Sequence, residues 1–401
     1  MCNRKKFLLF LILFFSFPLY AKNEKYFLIA PHCLLKNVST NYKTITKTET
    51  LTLISTNHIE NFVEAKHIQA TKPCGGFINV TQEWLKNTKK PVIFLKDYEM
   101  SPSQTLVAET YSIQYPNQVN QVLNQFSQTE MWDDLTQFTH PNQFPDRFMN
   151  SATGAKAATW LQNKIMEIAA QNNRDDVSTF TVASGTLQNS VVVKIGTSDE
   201  PGIVIGAHMD TYPAGRFDTK PGADDDGSGC MTVMGIARTL LQSGMHFKKP
   251  IYIIWYAAEE FGLIGSKAVV NDFIAKKIPV SAVLQFDMTG YAYRNEETMW
   301  LVTDFVNPGL TDYLSKLITT YVKKDVKKPV DITQCGYACS DHAIWMKNKI
   351  PAAFPFEAKF TQHNPTIHHS TDTMAMLSSA HMADYAKLGI AFAVELAEPV
   401  E

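Results

Sequence analysis

The sequence predicts an α/β fold, a three-layer sandwich in which helices cover a central, mostly parallel or mixed sheet, with a small additional N-terminal domain. Strand-like and helix-like segments alternate through the C-terminal half of the chain, which is typical of α/β domains. Several strand candidates are continuous apolar runs, as expected of strands that are covered on both faces. The segment 155–170 (AKAATWLQNKIMEIAA) has the apolar period of an amphipathic helix.

The elements follow one another in a regular order. Residues 22–107 are rich in Thr, Asn and Lys, with short β-like runs broken by turns, and the chain becomes helical from about residue 111. Strand candidates are 178–183, 191–195, 202–206, 251–256, 282–286 and 299–302, and helix candidates after 155–170 are 228–242, 265–275 and 341–347. We therefore expect three segments, 1–21, 22–107 and 108–401, of which the last is the α/β domain.

The first segment has the pattern of a secretory signal peptide. Arg4, Lys5 and Lys6 precede an apolar run at 7–17, and Ala21 closes a plausible cleavage site. The run is too short to span a bilayer comfortably, so it indicates a cleaved signal rather than an anchor. We expect a secreted protein, extracellular or periplasmic, with no membrane anchor.

Composition excludes several classes of protein. With 401 residues, 45% of them hydrophobic and 19% charged, the chain has ample material for a core, and global disorder is excluded. The net charge is −2 and no basic block occurs, which argues against nucleic acid or a membrane surface as a partner. Nothing in the sequence requires more than a monomer.

The six cysteines suit an exported protein. Cys33 and Cys74 can pair with each other, and Cys335 and Cys339 are close enough in the chain to close a short loop, but the sequence leaves both pairings open. Cys230 follows a Gly-Ser-Gly turn and is best interpreted as a buried small hydrophobic residue.

Polar residues follow three of the apolar strand candidates directly. His208 and Asp210 come after the third candidate, Glu259 and Glu260 after the fourth, and Asp287 after the fifth. Ligand sites in open α/β sheets collect beyond the carboxyl ends of strands, so these side chains can converge on one crevice. Burying so many carboxylates without cations would be very costly. The sequence therefore predicts a metal site.

Three adjacent aspartates at 224–226, between glycines, strengthen that prediction, since they repel one another unless a cation is present. The alternative is a solvated turn in which Asp226 or Ser228 caps the next helix; both interpretations can hold together. Glu259 and Glu260 are adjacent in extended chain and point to opposite sides, so one can bind metal while the other moves protons.

A late segment, IHHSTDT at 367–373, offers a further histidine, followed by Asp372. The residues alone do not choose between the two neighbouring histidines of this segment. His342, His363 and His369 also compete as ligands, although structural roles suit them better.

Taken together and in order, these segments resemble the secreted zinc aminopeptidases of peptidase family M28, the bacterial leucyl aminopeptidases in particular. The resemblance covers about 138–377 and is carried by HMD at 208–210, GADDDGSG at 222–229, YAAEEFGLIGS at 256–266, QFDMTG at 285–290, CGYACSDH at 335–342 and PFEAKF with NPTIHHSTDT between 355 and 373. The family pattern His-x-x-x-Asp-Thr selects His368 over His369. A short stretch at 140–146, before Arg147, looks like a small insertion.

The resemblance implies a site with two Zn²⁺ ions and five ligands. His208 and Glu260 would bind one ion, Asp287 and His368 the other, and Asp225 would bridge them. Asp210 would orient His208, and Glu259 would act as the general base. Tyr337 would help to stabilise the oxyanion, and the substrate would be the N-terminus of a peptide or protein.

The resemblance also implies an apolar pocket for the first side chain of the substrate, which predicts a preference for Leu and similar residues. Its expected lining is Met288, Leu301, Phe356, Phe360 and the loop closed by Cys335 and Cys339. An ordinary core role for the two phenylalanines is the alternative. Residues 22–107 resemble a propeptide loosely, and the hypothesis is that they assist folding or block the cleft until they are cut away.

Two other functions compete with this one. A carboxypeptidase, dipeptidase or deacylase could use the same metal scaffold, but each favours a basic clamp for a substrate carboxylate, and the motif segments contain none. A non-catalytic receptor-like domain would be expected to lose ligands or the base. All five ligands and Glu259 are present in this chain.

Overall fold

The computed structural model describes residues 25–36, 38, 41–62, 76–99, 111–215 and 218–400. The expected signal peptide and Cys74 lie outside these residues, so both the signal and the pairing of Cys33 with Cys74 stay predictions. Among the described residues, no helix combines the length and apolar character needed to cross a bilayer.

The described part of residues 25–99, called the N-terminal domain below, is built on a four-stranded sheet in the order β2-β3-β1-β4. Its central pair, β1 and β3, is antiparallel over six residues, with Leu28 opposite Ile54. Its elements are β1 (Tyr26–Pro31), α1 (His32–Leu35), β2 (Lys43–Lys47), β3 (Leu51–Thr56), β4 (Ile78–Asn79), α2 (Thr81–Leu85) and α3 (Pro91–Glu99).

The α/β domain contains a six-stranded mixed sheet in the order β12-β9-β7-β8-β6-β5 and a three-stranded sheet in the order β11-β10-β13. In the large sheet, β12, β9, β7 and β8 run parallel, whereas β6 and β5 are antiparallel to their neighbours. The strands are β5 (Val177–Val182), β6 (Ser190–Ile195), β7 (Gly202–His208), β8 (Ile251–Tyr256), β9 (Val280–Gln285), β10 (Met299–Val302), β11 (Val330–Thr333), β12 (Ala352–Ala353) and β13 (Pro355–Phe356).

Helices cover both faces of the large sheet. They are α4 (Pro116–Leu123), α5 (Gln128–Phe138), α6 (Ala152–Gln171), α7 (Gly229–Gln242), α8 (Ile264–Lys276), α9 (Pro308–Leu317), α10 (His342–Lys347) and α11 (Ser379–Ala397). The start of α6 is fixed by Ser151, whose side chain accepts a hydrogen bond from the Gly154 amide, as an N-cap serine does.

Alternation along the strands divides the core in two. Val193, Ile205 and Leu284 pack with α6, α7 and α11 on one face, whereas Val192 and Val204 pack with α8 and α10 on the other. Successive strand residues point to opposite faces, so central strands such as β8 are apolar on both faces. This arrangement confirms the predicted α/β sandwich with a mixed central sheet.

Most of the expected elements form close to their expected bounds. The strands Ile251–Tyr256 and Met299–Val302 match the prediction residue for residue, and the others differ by one to three residues at an end. The long C-terminal helix α11 was not among the candidates. Helix α10 begins after Asp341 rather than at it.

Candidate metal centre

The predicted site residues lie where three neighbouring strands end. Strand β7 lies between β9 and β8, and it leads into His208 and Asp210, while β8 leads towards Glu259 and Glu260 and β9 towards Asp287. All five are at most 7% exposed. The parallel register of the three strands thus brings residues some 80 positions apart in the chain to one edge of the sheet.

Five metal-ligand side chains form two groups that share one carboxylate. In the first group, His208 Nε2 lies 3.1 Å from Asp225 Oδ1 and 3.6 Å from Asp287 Oδ1. In the second, His368 Nε2 lies 2.8 Å from Asp225 Oδ2 and 3.3 Å from Glu260 Oε1. Each group offers ligand atoms within 4.8 Å of one another, and Asp225 uses a different oxygen for each.

This grouping corrects the expected pairing of ligands. His208 was expected to share a metal with Glu260, and Asp287 with His368; that pairing is wrong. The structure groups His208 with Asp287 and Glu260 with His368. The shared position of Asp225 agrees with the expectation.

The spacing of these atoms suits zinc. Zn²⁺ binds oxygen and nitrogen at about 2.0–2.1 Å in a tetrahedron, so neighbouring ligand atoms should be about 3.3 Å apart. The four separations, from 2.8 to 3.6 Å, fall around that value. Each group also combines one imidazole with carboxylates, a donor set that zinc favours. The residues therefore fit two zinc ions.

The carboxylates of the three adjacent aspartates have different partners. Asp224 accepts hydrogen bonds from the Gly290 amide and from Ser228, and Asp226 accepts from the amides of His208 and Gly229. Only the middle carboxylate faces the two histidines. The capping part of the alternative holds, since Asp226 accepts from the Gly229 amide at the start of α7, but the segment is not a solvated turn, because its three aspartates are at most 6% exposed.

The backbone at Asp225 is held by hydrogen bonds to Asp372. Its amide and that of Asp224 donate to the carboxylate of Asp372, at 3.1 and 3.0 Å. The peptide bond between Asp225 and Asp226 is cis. Asp372 therefore does more than mark the His-x-x-x-Asp-Thr pattern: it fixes the segment that carries the shared carboxylate.

Asp210 orients the loop that bears the two glutamates. Its carboxylate accepts hydrogen bonds from the amides of Glu259, at 2.9 Å, and Glu260, at 3.2 Å. Its Oδ1 also lies 3.5 Å from His208 Nδ1, longer than an ordinary hydrogen bond. The expected contact with His208 is thus loose, and the firm contacts of Asp210 are to the backbone of residues 257–263, called the glutamate loop below.

Carboxylates around the two histidines favour the protonated imidazole when no metal is bound. The pKa of His368 is raised to about 9, against the opposing effect of burial, by Glu260 and Asp225. That of His208 is also raised, chiefly by Asp287. The same carboxylates attract a divalent cation, so metal binding must displace these protons.

Two of the competing histidines, His342 and His363, contact backbone carbonyl groups instead of the ligand groups. His342 is fully buried, its ring Nε2 lies 3.3 Å from the Asp304 carbonyl oxygen, and burial lowers its pKa to about 3. His363 lies 2.6 Å from the Phe360 carbonyl through Nδ1. Neither belongs to either group of ligand-type side chains found among the described residues.

Tyr212 is a neighbour of the site that the sequence did not indicate. Its ring is 2% exposed and meets the ring of His368 edge-on, with centroids 4.5 Å apart. The backbone of His368 has a positive φ of 63°, and the Tyr212 ring limits where its imidazole can lie. No pattern in the sequence could have linked two residues so far apart.

Arg147 is a second feature that the sequence did not explain. It is fully buried and donates from its guanidinium to the carbonyl oxygens of Met209, Pro221 and Gly222. The first carbonyl lies between His208 and Asp210, and the other two precede the aspartates. One side chain thus ties together two of the three segments that supply the first group, those of His208 and Asp225.

An apolar cluster lies beside Asp287. Met288, Val302, Phe354 and Phe356 pack together with Phe360 and both cysteines of the 335–339 loop against them. Cys335 and Cys339 form a disulfide, as the sequence allowed. The ring of Tyr337, in the same loop, lies edge-on to the ring of Phe360, with their centroids 6.4 Å apart.

Leu301 differs from the expectation for this cluster. It packs in the main core, because adjacent residues of β10 point to opposite faces of the sheet. Val302 takes the place beside Met288 that Leu301 was expected to fill. Cys230 behaves as expected, since it is buried and its thiol donates to the His208 carbonyl oxygen.

Comparisons with known proteins were made on the sequence and on the structure. Residues 190–393 match the model of peptidase family M28. The leucine aminopeptidase 1 of Coccidioides posadasii (strain C735) is 36% identical over 316 residues, which cover 72% of this chain and 78% of the relative.

Two solved structures from Legionella pneumophila are similar over almost the whole chain. The LapA aminopeptidase aligns with a TM-score of 0.82 and 39% identity, and LapB with 0.82 and 34%. Each alignment covers 94% of this chain and 100% of the solved chain. Coverage of that extent reaches well beyond 108–401, so both solved chains contain a counterpart of the N-terminal domain.

Proposed function

The chain belongs to peptidase family M28 and is a metallo-aminopeptidase, and from this premise we propose that it holds two zinc ions and removes hydrophobic residues, leucine above all, from the N-termini of peptides. The observation that carries the proposal is the pair of ligand groups joined by Asp225. The relatives named leucine aminopeptidase support the substrate preference.

The proposed ligands are His208, Asp225 and Asp287 for one ion and Asp225, Glu260 and His368 for the other. Bound zinc supplies a Lewis acid for the scissile carbonyl and lowers the pKa of water from about 15.7 towards 7. Two Zn²⁺ ions carry four positive charges, which three carboxylates and one hydroxide neutralise, so the buried cluster is close to neutral overall.

Glu259 is the proposed general base. It takes a proton from the attacking water and delivers it to the leaving amine, a form of assistance that contributes about 10²–10⁴-fold. Two observations support the role: Glu259 directly precedes the ligand Glu260 on the glutamate loop, and its backbone amide is held by Asp210. Tyr337 is proposed to donate a hydrogen bond to the oxyanion.

The apolar cluster of Met288, Phe356 and Phe360 supports the preference for leucine. Met288 directly follows Asp287 in the chain, and the disulfide-bonded Cys335 and Cys339 pack against the cluster. Its residues offer the first substrate side chain contacts that carry no charge. Such a pocket favours leucine without excluding other hydrophobic side chains, because one methylene group changes the binding free energy by about 1–3 kcal/mol.

Hydrolysis of leucine p-nitroanilide tests the proposal. We expect activity that a zinc chelator abolishes and that added Zn²⁺ restores, with two ions bound per chain at full activity. Glu259→Gln should keep both ions and lose nearly all turnover. An enzyme that hydrolyses N-acylated substrates but not free aminoacyl ones, or a variant with near-normal turnover, would contradict the proposal.

The signal at 1–21 and secretion also stay part of the proposal. The disulfide between Cys335 and Cys339 supports an oxidising compartment. We propose a monomer, and the mass of the purified protein in solution tests this.

A further inference from the structure

The N-terminal domain touches the loop that carries Glu259 and Glu260. The Asn79 amide, at the end of β4, donates a hydrogen bond to the Gly262 carbonyl oxygen at 3.2 Å. We propose that the N-terminal domain is retained in the working enzyme and positions the glutamate loop, with Lys267 as the positioning residue that joins the two. The inference rests on the proposed function, because that function gives the two glutamates their roles.

The glutamate loop is a tight turn that is held at two ends. Within it, the Gly262 and Leu263 amides both donate to the Glu259 carbonyl oxygen, at 2.8 and 2.9 Å. At its metal-facing end, Asp210 accepts from the amides of both glutamates. At its other end, the Gly262 carbonyl oxygen accepts a hydrogen bond from the Asn79 amide. A shift at Asn79 is therefore transmitted through one turn to both carboxylates.

The two backbones meet with no space between them at Gly262. A Cβ atom on this residue would lie 2.3 Å from the Asn79 nitrogen, and its φ is +95°. Both the left-handed backbone and the close approach require glycine. The contact is thus a fitted one between two main chains, rather than a touch between flexible side chains.

The Lys267 side chain stabilises this contact. It lies in the first turn of α8, directly after the glutamate loop, and its ammonium group donates to the Asn79 carbonyl oxygen and pairs with Glu83 at 3.0 Å. Both partners belong to the N-terminal domain. Burial lowers the pKa of Lys267, and Glu83 opposes that effect. Loss of the domain would remove both of these partners.

Apolar packing continues across the same boundary. Phe27, Ile29 and Leu53 of the N-terminal domain share one cluster with Leu263 and Val269 at the start of α8. Removal of the domain would expose this surface to water, at about 25 cal/mol for each Å² of apolar area. An apolar boundary of this kind favours a fixed arrangement of the two domains, whereas a small polar boundary would allow relative motion.

The domain also lies against the loop that bears Tyr337. A cavity is lined on one side by Ile29 and Tyr98 of the N-terminal domain and on the other by Gly336 and Tyr337 of the disulfide loop. The ammonium of Lys347 lies 3.3 Å from the centre of the Tyr98 ring, a cation–π contact. The domain therefore supports both the glutamate loop and the loop that bears Tyr337.

This inference opposes the hypothesis of a blocking propeptide. A block that is cut away predicts that removal raises turnover. A positioning domain predicts that the active form contains residues 25–99 and that disturbing its contacts lowers turnover.

The test compares two lysines of one helix in the full chain. Lys267→Met removes the link, whereas Lys276→Met is the control, since Lys276 is half exposed and pairs with Asp272 within α8. Glu83→Gln is a second, milder variant, since the Glu83 side chain is about a third exposed and its replacement should not prevent folding. Hydrogen exchange of amides 259–264 is measured together with kcat, KM and zinc affinity.

We expect Lys267→Met to speed exchange in the glutamate loop and to lower kcat about tenfold, with KM little changed, because small displacements of catalytic groups cost this much or more. Glu83→Gln should act in the same direction but less strongly, and the double variant should be no worse than Lys267→Met alone. Lys276→Met should match the unaltered protein.

Three outcomes would overturn the inference: equal loop exchange in the two lysine variants, unchanged kcat in Lys267→Met, or an active fraction whose intact mass lacks residues 25–99. Failure of the proposed function is distinct from these, since the unaltered protein would then not hydrolyse leucine p-nitroanilide. The exchange measurement would still decide whether the domain orders the loop.

Discussion

Replacing Arg147 by methionine should separate fold stability from assembly of the site. The guanidinium donates to the carbonyl oxygens of Met209, Pro221 and Gly222 and lies 4.6 Å from the ring of Phe138. Methionine fills much of the same volume but donates nothing. Three buried carbonyl oxygens then lose their partner, and the segments before Asp210 and Asp225 lose their common support.

The expected loss of stability follows from these contacts. A hydrogen bond that involves a charged group contributes about 1.5–3 kcal/mol, so three such bonds give a gross loss well above that of one. Release of the desolvation cost of a buried cation offsets part of it, and breaking buried charged contacts usually costs about 3–5 kcal/mol net. We expect the free energy of unfolding of Arg147→Met to fall by about that amount.

Urea unfolding and zinc titration of the same samples test the prediction. Arg174→Met is the matched control, because Arg174 is also buried and bonded, to Asp176 and the Leu240 carbonyl, but away from the metal ligands. Both variants should lose stability, whereas only Arg147→Met should bind zinc more weakly. A loss below about 0.5 kcal/mol, the usual range for surface changes, or equal zinc affinity in the two variants, would refute the reasoning.

Three further predictions address the site and its surroundings. Asp210→Asn should weaken zinc binding about 10–100-fold, as loss of a supporting partner does, because its amide group cannot accept from both glutamate-loop amides; unchanged affinity in a competitive chelator titration would contradict this. Phe356→Ala should lower the ratio of kcat/KM for leucine over alanine p-nitroanilide about tenfold or more, and an equal ratio would place Phe356 outside the pocket. The neutral state of His342, whose pKa is lowered to about 3, should stabilise the fold above pH 6.5 and cease to do so as pH falls towards 3, since the unfolded chain then binds one more proton. His342→Gln should therefore show a flatter pH dependence of the unfolding free energy, by up to about 1.4 kcal/mol per pH unit, and parallel curves would count against it.

The strands and the site residues were largely predictable because periodicity is a local property. The apolar runs at 251–256 and 299–302 form strands with those bounds, and the polar residues after the strands converge as expected. Each segment carries its own signal, and parallel strands bring such signals to one edge without further information.

Which ligands share a metal could not be predicted from the sequence in the same way. His208 ends the central strand β7, which has β8 on one side and β9 on the other. Both Glu260 and Asp287 are therefore neighbours of His208, and only the three-dimensional side-chain directions choose between them. The choice of Leu301 over Val302 failed for a related reason, since one residue along a strand reverses the face.

The role of Arg147 and the contact between Asn79 and the glutamate loop could not be predicted, because both involve main-chain atoms. The partners of Arg147 are three carbonyl oxygens, and Asn79 meets Gly262 through the backbone. Any sequence offers such atoms, so no residue pattern marks them. Signals for positioning residues of this kind exist only once the chain is folded.

In the proposed site one carboxylate serves two cations, which makes their occupancies interdependent. The first ion to arrive at Asp225 fixes the orientation of a side chain that the second ion also needs, and it removes freedom that the second would otherwise have to restrict. Linkage of this kind is reciprocal, so each ion alters the affinity for the other by the same factor. Titration of the apoprotein should then depart from two independent sites, and loss of Asp225 should abolish both.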